Sequence, residues 1–292
     1  MLADCHMHMI LDGVYYRAAI DAQREHPDEA LIRARLADYR AAGITFLRDG
    51  GDAWGVGALA AKLAPEYGID YRTPVFPIHK KSHYGGFIGR GYDTLAEYAA
   101  LVSEAKCAGA DFIKIMISGL MDFDHYGVIT GEPLPPAEIA ELIHIAHAEG
   151  LCVMAHANGA ETVRAAAEAG VDSVEHGAYL DEAALAAMAG AKTVWTPTIS
   201  TIGNLIGEGR YPDAALKPLF ELQAENIRRF AEMGGIIAPG SDAGAYAVPH
   251  VQGVADEYRY LTEILGESAE AALDAGVREI AERFRTVRTG SD

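Results

Sequence analysis

Short runs rich in Val, Ile, Phe and Met alternate along this chain with longer Ala-rich stretches in which apolar residues recur every three or four positions. The short runs predict strands: ADCHMHMI (3–10), ITFLRDG (44–50), YRTPVFPIH (71–79), DFIKIMI (111–117), LCVMAHA (151–157), DSVEHG (172–177), TVWTPT (193–198) and GIIAPGSD (235–242). The longer stretches predict helices, among them ALIRARLADYRAAG, YDTLAEYAALVSEAKCAG, PAEIAELIHIAHAEG and AETVRAAAEAG. They end in Gly, the residue a helix C-cap favours. Strand followed by helix, repeated, implies parallel strands joined by crossovers. Eight such units in 292 residues predict an α/β fold of the (β/α)8 TIM barrel type. An open doubly wound sheet is the alternative, but the chain has no Gly-rich phosphate fingerprint to support it.

Two stretches depart from the repeat. KKSHYGGFIGRGYD (80–93) and SGLMDFDHYGVITGEPLPP (118–136) read as long loops after the third and fourth strands. Loops in that position lie on the C-terminal face of a barrel, where active sites are built. No linker or further repeat divides the chain, so residues 1–292 read as one domain. Its barrel spans about 2–265 and a C-terminal helix about 268–285, followed by a frayed TVRTGSD.

Charge narrows the partners. The chain has 24 Lys plus Arg against 42 Asp plus Glu, a formal net charge of -18, with no basic block. Nucleic acid and anionic membrane surfaces are therefore not expected partners. No apolar run approaches the roughly 18 residues of a membrane span, and no export signal opens the chain. Cys5, Cys107 and Cys152 lie in or beside apolar runs and read as reduced core thiols of a cytoplasmic protein.

The chemistry sits at strand ends. His6 and His8, two apart on the first strand, share a face. Lys114 lies on the fourth strand, His156 on the fifth, His176 on the sixth and Asp242 on the eighth. Each falls in or at the end of an apolar run, where an unpaired charge is costly to bury. Four imidazoles and a carboxylate converging on one barrel mouth suit zinc, and the same ligand chemistry admits Mn, Fe, Co or Ni. Lys114 is the odd member: facing a metal, it must be neutral, turned away or chemically converted.

HMH on strand one, FIKIM on four, MAHANG on five, VEHG on six and GSDAG on eight resemble the amidohydrolase superfamily. The nearest likeness is to its imidazolonepropionase-like and prolidase-like hydrolases of the Xaa-Pro or Xaa-Arg dipeptidase type. AGITFLRDGG, IMISG, AGVDSVEHGAYLDEAALAAM and WTPT add to it, over about residues 2–265. The resemblance implies two divalent metal ions. His6, His8 and Asp242 would hold the more buried ion, His156 and His176 the more exposed one, and a CO2-derived carbamate on Lys114 would bridge them. It names Asp242, Lys114 and His176 as catalytic, with Asp242 carrying the proton from attacking water to leaving group. The expected reaction is hydrolysis of an amide bond in a small carboxylate-bearing molecule such as a dipeptide or N-acyl amino acid. A lactone, cyclic amide or carbamate is the alternative substrate, and a non-catalytic binding barrel the second alternative. The family's accessory β-sandwich is not expected here, which leaves a homo-oligomer as a possible partner arrangement.

A carboxylate needs a cation or hydroxyl to hold it, and the loops offer Tyr84, His83, His125 and Arg210, in that order. Lys80, Lys81, Arg90, Tyr211 and His250 read as ordinary loop residues. His26 reads as solvated, and His144 and His147 as outer-helix residues without a metal. Arg48 and Asp49 are expected to pair beneath the site. Ser118 and Gly119 shape its floor, since no Gly-x-Ser-x-Gly elbow surrounds Ser118.

Overall fold

The computed structural model describes residues 2–285. Its elements in chain order are β1 (Leu2–Met7), α1 (Tyr16–Gln23), α2 (Glu29–Ala41), β2 (Ile44–Asp49), α3 (Val56–Leu63), β3 (Asp70–Arg72), β4 (Pro77–Lys80) and β5 (Arg90–Tyr92). Then come α4 (Leu95–Cys107), β6 (Ile113–Met116), α5 (Pro136–Ala148), β7 (Val153–Ala157), α6 (Ala160–Glu168), β8 (Ser173–His176), α7 (Glu182–Ala191) and β9 (Val194–Thr196). α8 (Ser200–Gly203), α9 (Asp213–Glu232), β10 (Ile236–Ile237), α10 (Gln252–Leu265) and α11 (Ala269–Arg283) complete the order.

The strand pairs are parallel and fall into two sheets, ordered β1-β2-β3 and β10-β9-β8-β7-β6-β4-β5. The run expected as a single third strand is broken in two. Pro74 and Pro77 have no N–H to give a ladder, and Val75 between them has φ 65°. β3 pairs with β2, and β4 pairs with β6. One continuous stretch, 70–80, thus serves both sheets. Their other margins meet where Cys5 N donates to Pro239 O (2.9 Å), Asp242 N to His6 O (2.7 Å) and His8 N to Ala243 O (2.8 Å). β5 lies inside the stretch read as a loop and pairs with β4, its signal masked by Gly89 and Gly91.

The helices follow their end signals. Asp28, Thr94 and Asp181 cap α2, α4 and α7 by accepting from Leu31 N, Glu97 N and Ala184 N. Gly109 and Gly150, just past α4 and α5, take φ of 91° and 76°, the left-handed turn their position requires. Helix faces cover the outer sheet surface, with Ile115, Val153, Ala155 and Val174 packed in one cluster with Tyr98, Val102, Leu142, Val163 and Leu185. α11, expected over 268–285, closes the opposite end. Val277, Ile280 and Phe284 cluster with Ala3, Cys5, Phe46, Phe112, Met154, Val194 and Ala238, residues drawn from both sheets. No described helix is long and apolar enough to cross a membrane. Of the three thiols only Cys5 is fully buried; Cys152 is half-buried and Cys107, on the outer face of α4, is exposed, which corrects the expectation that all three are core residues.

One irregularity decides what faces the interior. Asp4 pairs with Leu47 but Met7 with Asp49, so β1 carries one extra residue between them. A bulge of this kind switches the facing of everything beyond it. Ala3 and Cys5 pack in the interior cluster, while beyond the bulge it is His6 and His8 that reach Asp242.

Candidate metal centre

His6, His8 and Asp242 bring one ligand atom each within 4.8 Å of one another. His6 Nε2 and His8 Nε2 lie 3.5 and 3.4 Å from the same Asp242 oxygen, Oδ1. Three further groups surround them. The His6 and His176 rings are 5.1 Å apart and those of His176 and His156 4.6 Å. Lys114 is buried, and its Nζ has no hydrogen-bond partner. The four histidines and Asp242 thus gather in one place, and the charge of Lys114 acts on each of them. Among the described residues, His6, His8 and Asp242 form the single triad of His, Cys or carboxylate groups this close.

The backbone makes the arrangement possible at some expense. His176 and Asp242 have φ of 67° and 59°, left-handed values that cost non-glycine residues about 1 kcal/mol or more each and persist where surroundings enforce them. For His176 the enforcement is visible: its carbonyl accepts from Trp195 Nε1 (3.0 Å) and Gln223 Nε2 (2.6 Å), and its Nδ1 meets Thr198 Oγ1 at 2.8 Å. For Asp242 it comes from Asp4, whose carboxylate accepts from Ser241 N (2.8 Å) and Ser241 Oγ (2.7 Å). Gly50 is required by close approach, because a Cβ there would stand 2.2 Å from the His8 ring.

Electrostatics keep the imidazoles neutral. Burial first, then the charge on Lys114, lowers His8 and His156 to about 3. Burial likewise lowers His6 and His176, with Lys114 and neighbouring histidines adding to it. Burial pushes Lys114 down, opposed by Glu175 and Asp242, and pushes Asp242 up, opposed by Lys114. Neutral imidazole is the form that binds a metal. Two rings also have one nitrogen hydrogen-bonded to a protein oxygen, His156 Nε2 to Gly119 O (3.0 Å) and His176 Nδ1 to Thr198 Oγ1, and His6 Nδ1 stands 2.9 Å from Glu175 Oε2. This is the pattern of metal-binding histidines, in which the second nitrogen is held from outside. With buried Nζ and His6 Nε2 lacking hydrogen-bond partners, the donor set fits a divalent ion.

The substrate candidates separate. Tyr84 lies against His156, ring centroids 4.6 Å apart, and burial raises its hydroxyl pKa, with Asp242 and Tyr16 adding to the shift. His83 Nδ1 meets Glu132 O at 3.1 Å. His125 is 72% exposed and held by Asp122 (3.1 Å), while the Arg210 guanidinium lies 4.0 Å over the Tyr246 ring. Neither is brought against the histidine cluster by any of these contacts. Arg90 pairs with Glu104, and His250 is half-buried between Tyr39 OH and Leu11 O, each at 2.9 Å. His147 binds Asp172 (2.8 Å), and His144 is exposed. Ser118 Oγ accepts from Asn158 N (2.8 Å), a structural task in the pocket floor.

The expected Arg48–Asp49 pair does not form. Arg48 and Asp49 are successive strand residues and point to opposite faces. Arg48 turns inward to Glu175 (2.9 Å), while Asp49 accepts from Met9 N (3.2 Å) and is raised to about 7 by burial. Glu175 and Asp4 are the residues sequence reasoning missed. Both are charged positions inside apolar runs, the same signal that picked out the ligands.

No family model matches the chain. It is 32% identical over 139 residues to an uncharacterized protein of Mycobacterium tuberculosis, covering 46% of this chain and 37% of that one. It is 26% identical over 282 residues to ochratoxinase of Aspergillus niger, covering 82% of this chain and 57% of that enzyme. The chain thus spans between about a third and three fifths of the curated relatives it matches. Among solved structures, Aspergillus niger ochratoxinase superposes with a TM-score of 0.77 at 23% identity, covering 97% of this chain and 71% of that one. A Xaa-Pro dipeptidase with bound methionine gives 0.72 at 23%, covering 96% and 75%. A prolidase complexed with N-methylphosphonate-L-proline gives 0.73 at 22%, covering 99% and 77%. The structural neighbours are therefore the prolidase, amidohydrolase and ochratoxinase enzymes the motifs resemble, and the fold is theirs.

Proposed function

We propose that this protein is a metal-dependent hydrolase that cleaves an amide bond in a small carboxylate-bearing substrate, a dipeptide or N-acyl amino acid. The observation that carries the reading is the His6/His8/Asp242 triad, its two imidazoles buried, beside His156, His176 and an unpartnered Lys114 Nζ. The fold likeness to prolidases and ochratoxinase supports it. The junctions at 70–80 and between β1 and 239–243 support a closed eight-position barrel, with this cluster at its mouth.

In this reading His6, His8 and Asp242 would hold one divalent ion, zinc in first instance, and His156 and His176 would hold a second. Lys114, carried as a carbamate, would offer oxygen ligands to them. Bound divalent ions would supply Lewis-acid polarisation of the scissile carbonyl and lower the pKa of water at the site. Asp242 is the one carboxylate of the set that reaches the mouth, its side chain 15% exposed. It accepts the proton of the attacking water and returns it to the leaving nitrogen. Tyr84 stays protonated and stands against His156, so its hydroxyl can donate to a substrate oxygen. His83 beside it is the nearest sequence neighbour able to meet a carboxylate.

Purified protein should hold close to two equivalents of divalent metal and hydrolyse free-carboxylate dipeptides or N-acyl amino acids at least about tenfold better in kcat/KM than their amidated forms, roughly 1.4 kcal/mol of transition-state binding. Asp242→Asn should cost at least about 100-fold in kcat while the protein stays folded. Absence of bound metal, or unchanged turnover in Asp242→Asn, would overturn the reading.

A further inference from the structure

Glu175 lies next to His176 in sequence, yet it acts on a different histidine. The left-handed backbone at His176 breaks the strand's alternation, so neighbours that a flat strand would send to opposite faces both serve the centre. Glu175 is fully buried, and its Oε2 lies 2.9 Å from His6 Nδ1. The same carboxylate accepts from Arg48 Nη2 at 2.9 and 3.0 Å and from Ser173 Oγ at 2.6 Å. Arg48 is itself fixed by Cys5 O (2.6 Å), Ser173 Oγ (2.9 Å) and Thr196 Oγ1 (3.3 Å). Neither group has freedom to swing away.

We propose that Glu175 is a positioning residue of the metal centre: it holds the His6 ring with the proton on Nδ1 and Nε2 turned toward Asp242, and Arg48 holds Glu175 in that pose. A carboxylate oxygen can only accept, and Glu175 Oε2 stands nearer to Nδ1 (2.9 Å) than Asp242 Oδ1 does to Nε2 (3.5 Å), so this ion-pair contact, though not an aligned hydrogen bond, draws the ring proton to Nδ1. That leaves the buried Nε2 lone pair, on the Asp242 side of the ring, as the ligand atom. A carboxylate behind a ligating histidine fixes its tautomer and orientation and raises its basicity, and its loss commonly costs 10- to 100-fold in metal affinity. This inference rests on the metal-dependent reading above.

The test is direct on the full-length protein. Zinc affinity is measured by competition with a chromophoric chelator for wild type, Glu175→Gln, Thr196→Val and Thr193→Val. Glu175→Gln should bind zinc about 10- to 100-fold more weakly, Thr196→Val, which loosens Arg48, should fall between it and wild type, and Thr193→Val, which removes a buried hydroxyl bonded only to Val171 O (3.1 Å), should stay within about twofold of wild type. In parallel, nitrogen-15 spectra of the metal-stripped wild type should show His6 as the Nδ1–H tautomer, with a low-field N–H resonance absent from Glu175→Gln. Wild-type affinity in a folded Glu175→Gln, or an Nε2–H tautomer at His6, overturns the proposal while leaving the metal reading standing. If Glu175→Gln fails to fold, the wild-type tautomer decides. No zinc uptake by wild type overturns both.

Discussion

Lys114→Met separates what this lysine costs the fold from what it gives the site. Lys114 is 1% exposed, and its ammonium has no hydrogen-bond partner. A buried polar group left unsatisfied costs about 1 to 3 kcal/mol, more if it is charged. Burial lowers its pKa, which is that cost seen from the proton's side. Methionine keeps the unbranched stem, one atom shorter, and removes the charged end, so metal-stripped Lys114→Met should be more stable than wild type by about 1 to 3 kcal/mol. For a chain of this size each kcal/mol is worth roughly 2 to 4 °C in Tm. Added metal should reverse the order. An ion at 100 times its Kd stabilises the protein that binds it by about 2.7 kcal/mol, and the variant lacks the bridging group. Calorimetric melting in chelator and again in excess zinc, with turnover on a dipeptide, reads both halves. Wild type should melt lower in chelator, higher in zinc, and be the only active form. A variant that melts below wild type in chelator and keeps its metal would show that Lys114 is a structural residue and refute the reasoning.

Two further expectations concern stability. Burial raises Glu257 from an ordinary 4.5 to about 8, with only one oxygen bonded, to Ser200 N at 2.8 Å. The folded state therefore holds a proton that the unfolded chain releases, so stability should fall as pH rises from about 5 to 8, and Glu257→Gln should flatten that fall by a few kcal/mol in urea titrations; parallel slopes would refute it. Phe284 is fully buried, 5.4 Å from the Phe112 ring, and Phe284→Ala should cost about 3 to 5 kcal/mol in the same assay, a loss under 1 kcal/mol excluding it as a closing residue.

The candidate site positions were legible because burial forbids idle charge: His6, Lys114, His156, His176 and Asp242 stand out in apolar runs, and the histidines and Asp242 are brought together within reach of the Lys114 charge. The same logic applied to Glu175 and Asp4 would have found them, but strand alternation sends Glu175 to the face opposite His176, and only the positive φ cancels that rule. Periodicity also could not show the extra residue in β1, since a bulge leaves no mark in an apolar run already buried on both faces. The break of 70–80 was visible as Pro74 and Pro77, yet read as part of one strand because the apolar run continues through them. Arg48 was assigned to its sequence neighbour Asp49, whereas its partner lies 127 residues away, a distance that no local pattern spans. Among the substrate candidates, Tyr84 is against the cluster while His125 and Arg210 find company in their own loops, Asp122 and Tyr246.

One column of side chains runs from the end of α11 to the candidate metal centre. Phe284, just past α11, lies 4.5 Å beneath the Arg48 guanidinium; Arg48 grips Glu175 at 2.9 Å, and Glu175 meets His6 at 2.9 Å. Every step is buried. With Glu175 as the proposed positioning residue, the end of the last helix becomes a plumb weight for the first strand: a phenylalanine at residue 284 backs, through two side chains, a histidine at residue 6. Shortening or loosening the C-terminal helix should then weaken zinc binding before it melts the fold.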